Sequence, residues 1–507
     1  NGKIELKGNI SKTSQSSFSL SVRHLDLNAL KLSNNYKNKT FDFDVDANLR
    51  GNNINNMLGS LKISNFNMTA PETTYHLNSL AIASGMKEKE HFISIDSDFG
   101  KAYLQGKFNL SALIQNLENT IISKLPGIQH LSPIKYAKAP DVKFKLSVEI
   151  YNSEWAEKLL GIPVALNQPL TLEWAMDSKR QHTDITFSAP DFVYNSKRYT
   201  KGFFHITTPN DTLKTTAQIR TLDKKGGRTD WNVESAAAND NLITSLIFDN
   251  RGRQHLKGRL NTETKFFKNS HGAAAAHVVV HPSEMLVGDT TWHVQPSDII
   301  YSKHRLTVDH FAVSHNNQHI IIDGTASKSV SDSVTVDLKD VDVNYVLNFV
   351  NFHSVEFNGL TTGEAYLYAP FSEPSANAHL IVNDFKFQNG RMGTLYANVD
   401  WTLKENQINI NAQAVDAPDK TTIIKGYVSP AKNHINLGID AHHTRLEFVQ
   451  DFCKSFMRDV DATGDGKIRV SGDLSNINLT GEVAATGSLG IKSLITQYTM
   501  RGTTIRF

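Results

Sequence analysis

Leu395-Tyr396-Ala397-Asn398-Val399-Asp400-Trp401-Thr402-Leu403 places an apolar side chain at every second position. A period of two is what a strand with one dry and one wetted face requires. After a polar turn at Lys404 to Gln407, Ile408, Ile410, Ala412 and Ala414 repeat the pattern. Beyond a turn around Pro430 to Asn433 come Ile435, Leu437, Ile439 and Ala441. Short connections force antiparallel neighbours, because a parallel return needs a long crossover. The stretch reads as a three-stranded meander with one continuous apolar face, and nothing nearby in the sequence is suited to cover it.

The same alternation recurs along the chain. Phe41, Phe43, Val45, Ala47 and Leu49 carry it near the beginning; Phe144, Leu146 and Val148, then Ile185 and Phe187, then Ala217 and Ile219 carry it later. Val334, Val336 and Leu338 precede the opening stretch, and Val483, Ala485, Leu489 and Ile491 follow it. The chain has 507 residues, of which 39% are hydrophobic and 21% charged, a balance that fits strands wetted on one face. A net charge of +2 gives no electrostatic case for a nucleic-acid partner. One cysteine, Cys453, excludes an internal disulfide framework and a multi-cysteine metal site. There is no run of 18 apolar residues and no signal peptide. Ile4 to Ile10 and Thr503 to Phe507 read as strands cut at the two ends, so the sequence is expected to be a fragment whose anchors lie outside it.

Helical breaks are few and share a form. Asp26-Leu27-Asn28-Ala29-Leu30, Asn109-Leu110-Ser111-Ala112-Leu113 and Asp342-Val343-Asn344-Tyr345-Val346 each follow an apolar strand. The polar residue at the third place is expected to accept from the free N–H groups of a first helical turn. Ser153 before Glu154, Trp155 and Leu159 is a looser copy, and Thr444 another. A helix is expected over Leu446 to Met457, packing Phe448, Val449, Phe452 and Phe456 on the sheet. Such recurrence suggests related strand-plus-helix units.

Three chemistries are weighed and set aside. Asp459, Asp461, Thr463, Gly464, Asp465, Gly466 and Ile468 have the look of a calcium loop, but Gly472 stands where the bidentate Glu belongs, so the segment reads as a plain turn. His277 and His281 share a strand face at roughly 13 Å, too far for one ion. Gly-x-Ser-x-Gly is absent, and Cys453 reads as a buried, inert thiol. No catalytic residue, metal or cofactor is expected.

Several motifs carry a resemblance: Leu338-Lys339-Asp340-Val341-Asp342, Gly363-Glu364-Ala365-Tyr366-Leu367, Lys425-Gly426-Tyr427-Val428, Leu446-Glu447-Phe448 and Asn478-Leu479-Thr480-Gly481-Glu482-Val483. In this order they resemble the TamB family of envelope proteins, particularly its Bacteroidota-type members. Gly487-Ser488-Leu489-Gly490-Ile491 to Tyr498 looks like the approach to that family's C-terminal conserved domain. The helix-opening pentads are similar to the punctuation of the wider AsmA-like group. The close match covers the last third of the chain, and the rest matches in style. The resemblance implies a taco-shaped β-structure in the periplasm, anchored in the inner membrane through a missing N-terminus. It implies a missing C-terminus near an outer-membrane partner of the BamA or TamA type, and a role in moving phospholipid or assembling outer-membrane proteins.

The expected fold is therefore all-β: a long curled, mostly antiparallel sheet with an open hydrophobic groove and a few short amphipathic helices. At roughly 4.8 Å per strand, on the order of 40 strands would make a groove of about 190 Å. Residues 1–267 are read as AsmA-like or TamB-like groove repeats, 268–333 as a β-rich continuation with a possible boundary, and 334–507 as a TamB-like groove segment. Groove candidates are Phe41, Phe43, Val45, Leu49, Val334, Val336, Leu338, Val399, Trp401, Leu403, Ile408, Ile410, Leu437 and Ile439. The first expected function is non-enzymatic carriage of phospholipid acyl chains between the two membranes, with headgroups at a wet lip. The alternatives are a scaffold pairing its sheet edge with nascent outer-membrane strands, and an extracellular β-rich adhesin.

Overall fold

The runs of period-two alternation form strands, apart from Leu403 at the end of its run, with Ile10 and Phe507 outside the described residues. The computed structural model describes residues 2–9, 11, 15–51, 53–222, 227–251, 255–269, 272–343, 356–474 and 476–506. Among them are 32 strands, and each of the described strand pairings is antiparallel. The fold is all-β. The strands are fewer than about 40 because many are long: Met457–Asp473 has 17 residues and Asn476–Ile491 has 16, where a typical strand has about 5–6.

The chain forms two compact units. One comprises Asn1–Ala274 with Met285–Asp289, and the other Ala275–Glu284 with Thr290–Phe507. In each, strands pair mainly with their sequence neighbours. The meander that opens the sequence reading holds four strands rather than three, because Lys420–Ser429 lies between Gln407–Ala417 and His434–Arg445. Its alternation is blurred by adjacent Ile423 and Ile424, which hides it in the sequence.

Bulges curl the sheets. A bulge bends its strand and raises the local twist. His24 at φ 51° and His443 at φ 48° sit in such register shifts. The amide each bulge frees is satisfied by a carboxylate on the next strand: His24 N–H donates to Asp42 at 2.7 Å, and His443 N–H to Asp465 at 2.8 Å. In the second unit, Gly390–Thr402 and His434–Arg445 come within 8 Å although two strands separate them in the pairing order. Asp459 to Ile468, read as a turn, is instead the first half of the long strand Met457–Asp473. Its acidic residues serve the ladder, Asp465 as the acceptor for the His443 bulge.

Helices are short, and they sit at strand ends. Helix α1 spans Leu113–Lys124 after a 3-10 turn at Leu110–Ala112, and α2 spans Glu154–Leu160. The expected helix over Leu446 to Met457 shrinks to the single turn α3, Val449–Phe452. Capping also differs from expectation. In the first pentad the first residue, Asp26, accepts from Asn28 and Ala29 N–H at 2.9 Å each. Asn109 makes no side-chain cap, and Asn152 rather than Ser153 accepts from Glu154 N–H. Residues 344–346 of the third pentad lie outside the described residues. No described helix is long and apolar enough to cross a membrane.

Candidate functional site

Register turns alternation into a surface. In the first unit Phe18, Ala47, Leu61, Ile82, Ile95, Ala102, Val148, Leu172, Phe187, Phe204, Ala217, Val233, Leu246 and Leu260 face one another, one per strand, without a polar interruption. At about 4.8 Å per strand the row follows roughly 60 Å of sheet. Apart from buried Ala47, each of these side chains is only half-buried. A parallel row, Ile219, Trp231 and Phe248, flanks its far end, with Trp231 40% exposed. Apolar side chains in register yet partly open to solvent form the floor of a trough.

The second unit repeats the design. Ile322, Val336, Ala365, Ala378, Val399, Ile410, Gly426, Leu437, Val470 and Leu479 form one row. Trp401, Ile408, Val428 and Ile435 form a second, and Ile424, Ile439 and Ile468 belong to a third. The opposite face carries Asn398, Asp400, Asn411 and Lys425, all exposed.

The groove candidates divide by burial. Phe43, Leu49, Val336, Val399, Trp401, Ile408, Ile410, Leu437 and Ile439 are half-buried on the apolar faces, whereas Phe41, Val45, Val334 and Leu338 are buried. Phe41 is core: it packs with Met68, Tyr75 and Leu77, beneath Leu27, Tyr36 and the α2 residues Trp155 and Leu159. Leu403 lies past the strand end in a turn and is 52% exposed. Phe204, Val233 and Leu246 belong to the floor without standing out in the sequence, and Phe187, visible there as part of an alternating strand, is not among the groove candidates, because facing partners follow from register rather than from composition.

Three segments cover parts of these faces. Helix α1 lays Leu113, Leu117 and Ile121 on Leu104, Phe144, Trp174, Met176, Ile185 and Ile206. The 3-10 turn after it, Pro126–His130, reaches across to the strand His255–Lys268, where Gly127 approaches Phe266, and the Gly127 N–H donates to Asp240, in the turn before Asn241–Arg251, at 2.6 Å. Lys124, 3% exposed, turns its ammonium to Asp211 and to Gln181 at 3.3 Å. The loop after Leu25 and α2 form the second cover, over Phe41. Leu446, Phe448 and Val449 form the third, on Val382, Phe385, Ala414 and Val483. The expectation that nothing nearby covers the opening meander is therefore corrected. Gly390 permits the contact, since a Cβ there would meet Phe448 N at 2.7 Å. Phe456 stays 47% exposed, so the packing face of this cover is shorter than expected.

Polar contacts hold the third cover down. Asp451 accepts from Asn389 N–H and Nδ2 at 2.9 Å each. Asp416 accepts from Arg391 Nε at 2.8 Å and Arg445 Nε at 2.7 Å, and Arg445 also donates to Glu447 at 3.1 Å. Burial alone would raise the Asp416 carboxyl, but the two guanidiniums outweigh it and hold it below the usual carboxylate range.

Among the described residues no group of three or more His, Cys, Asp or Glu side chains is placed to hold a metal ion. His277 pairs with Asp298 at 2.5 Å. Burial pushes the Cys453 thiol up, away from the reactive thiolate. No family model, no curated protein and no solved structure matches the chain.

Proposed function

We propose that this chain is part of a periplasmic, bridge-like lipid carrier, non-enzymatic, whose apolar troughs hold phospholipid acyl chains on their way between inner and outer membrane. The observation that supports it most is the half-buried row from Phe18 to Leu260, uninterrupted by polar side chains. A closed core would bury such a row, and an exposed face would be polar. Each CH₂ withdrawn from water onto this floor gains about 0.8 kcal/mol. From Leu395 to Trp401 the apolar band is about 20 Å wide along the strand, compared with about 15 Å for one leaflet of a bilayer core. The periplasmic location, the inner-membrane anchor and an outer-membrane barrel partner rest on the resemblance to the TamB family.

The test is native mass spectrometry of the purified chain with extraction of bound lipid. Phospholipid is expected to copurify, and Leu246→Glu, on the floor, is expected to remove most of it while the chain stays folded. A lipid-free wild-type chain, unable to take up phospholipid from vesicles, contradicts the reading.

A further inference from the structure

The trough floor of the first unit changes character at the strand Leu213–Leu222. The row one step from the main floor is apolar over Leu104, Leu146, Trp174, Ile185 and Ile206. From the next strand onward the same row becomes Thr215, Ser235, Thr244 and Thr262, four hydroxyls in direct register. They lie side by side, about 4.8 Å apart, and all four residues are half-buried. On one side runs the apolar floor of Ala217, Val233, Leu246 and Leu260. On the other is the row of buried Ala237 and half-buried Leu242, which packs into the cluster under α1.

Three other inward hydroxyls in the unit are engaged by the protein itself. Ser84 Oγ donates to Met57 O at 2.7 Å, Ser97 Oγ to Gly100 O at 2.8 Å, and Thr183 Oγ1 accepts from Trp174 Nε1 at 3.0 Å. None of the four in the ladder makes a side-chain hydrogen bond to a described residue. Each hydroxyl offers one donor and two acceptor lone pairs to whatever fills the trough. Leaving them against hydrocarbon alone is costly.

We propose that the Thr215-Ser235-Thr244-Thr262 ladder is a polar subsite for the ester and phosphate oxygens of a glycerophospholipid. The acyl chains lie on the neighbouring row and on Trp231 and Phe248, whose rings are 5.9 Å apart. The assignment rests on the carrier reading and sharpens it: over these strands the polar end of the lipid sits inside the trough, at the foot of α1. Because hydroxyls are neutral, the subsite recognises acceptor oxygens and does not select a headgroup by charge.

The experiment compares the wild-type chain with a variant carrying Thr215→Val, Ser235→Ala, Thr244→Val and Thr262→Val, which keeps side-chain size nearly constant. Both are delipidated and offered vesicles of palmitoyl-oleoyl phosphatidylglycerol, and separately diphenylhexatriene, an apolar probe without acceptor oxygens. Phospholipid retention is expected to fall on the order of a hundredfold in the variant, about threefold per lost hydroxyl contact, while uptake of the apolar probe stays equal or rises. Unchanged phospholipid retention overturns the assignment, as does a parallel loss of both ligands, which marks a packing role. Should the variant misfold, Thr244→Val alone is read the same way, with an expected few-fold loss. A wild-type chain that takes up no phospholipid overturns the carrier reading itself, whether or not it takes up the apolar probe, whereas a wild-type chain that binds phospholipid no better than the variant overturns the ladder alone.

Discussion

Trp174 and Leu246 lie on the same face of one curled sheet, yet Trp174 is 6% exposed under α1 and Leu246 is half-open in the trough. Their strands, Leu170–Asp177 and Asn241–Arg251, both carry apolar residues on this face and both pair antiparallel with a neighbour on each side. What separates core from trough is the covering segment and not the strand. A single sheet has no second layer of its own, so each helix or loop that drops from a strand end decides which part of the face is sealed.

That comparison can be broken by a charge placed on each side. Ile185→Asp, beneath α1, is expected to unfold the first unit or to cost about 3–5 kcal/mol, since the carboxylate has no partner there. Leu246→Glu is expected to stay within about 1 kcal/mol of wild type, because its carboxylate reaches water. Chemical denaturation measures both, and equal losses would mean that the trough is a closed core.

The cover in the second unit sharpens the point at smaller magnitude. Phe448→Ala removes an aromatic contact with Phe387 at 5.3 Å. It is expected to cost about 2 kcal/mol, less than a full core deletion because the ring is only half-buried. Hydrogen exchange at the amides of Gln388 to Arg391 is expected to speed up while the strands beyond stay protected.

Asp416→Asn weakens the clamp on the same segment, by about 1–2 kcal/mol since Arg391 is exposed. The carboxyl is depressed in the folded state, so its stabilisation is full above the unfolded pKa of about 3.9 and is lost as pH falls further through the folded value. The wild-type cover is thus expected to loosen only in acid below about pH 4, and the Asn variant to lose the share of that pH dependence due to Asp416 while Asp451, also held low, keeps its own. Exchange at the same amides between pH 3 and 6 checks both. The smallest effect is at Cys453. With its thiol raised by burial, alkylation at pH 7.5 is expected to be slower than for a free thiol.

Much of the sheet was legible because alternation survives in strands such as Gly390–Thr402 and Thr40–Arg50. The covers were harder to read. Leu113, Leu117 and Ile121 have helical spacing, but among long alternating runs only the first turn of α1 stood out. Asp459 to Ile468 looked like a turn because Asp and Gly are poor strand formers, yet bulges and tight curl favour both. The candidate site was legible as a face but not as a floor. Burial of Phe41 depends on α2, far along the chain, and the Thr215 to Thr262 ladder exists only through register across strands.

The most direct test places benzoylphenylalanine at Phe187, on the open floor, and at Trp174, under α1, in the purified chain incubated with phospholipid vesicles. Crosslinking from position 187 to phospholipid, and from position 174 only to the protein's own α1, is the expected result. Own-chain crosslinks at both positions, with no lipid at 187, would contradict an open lipid-bearing trough.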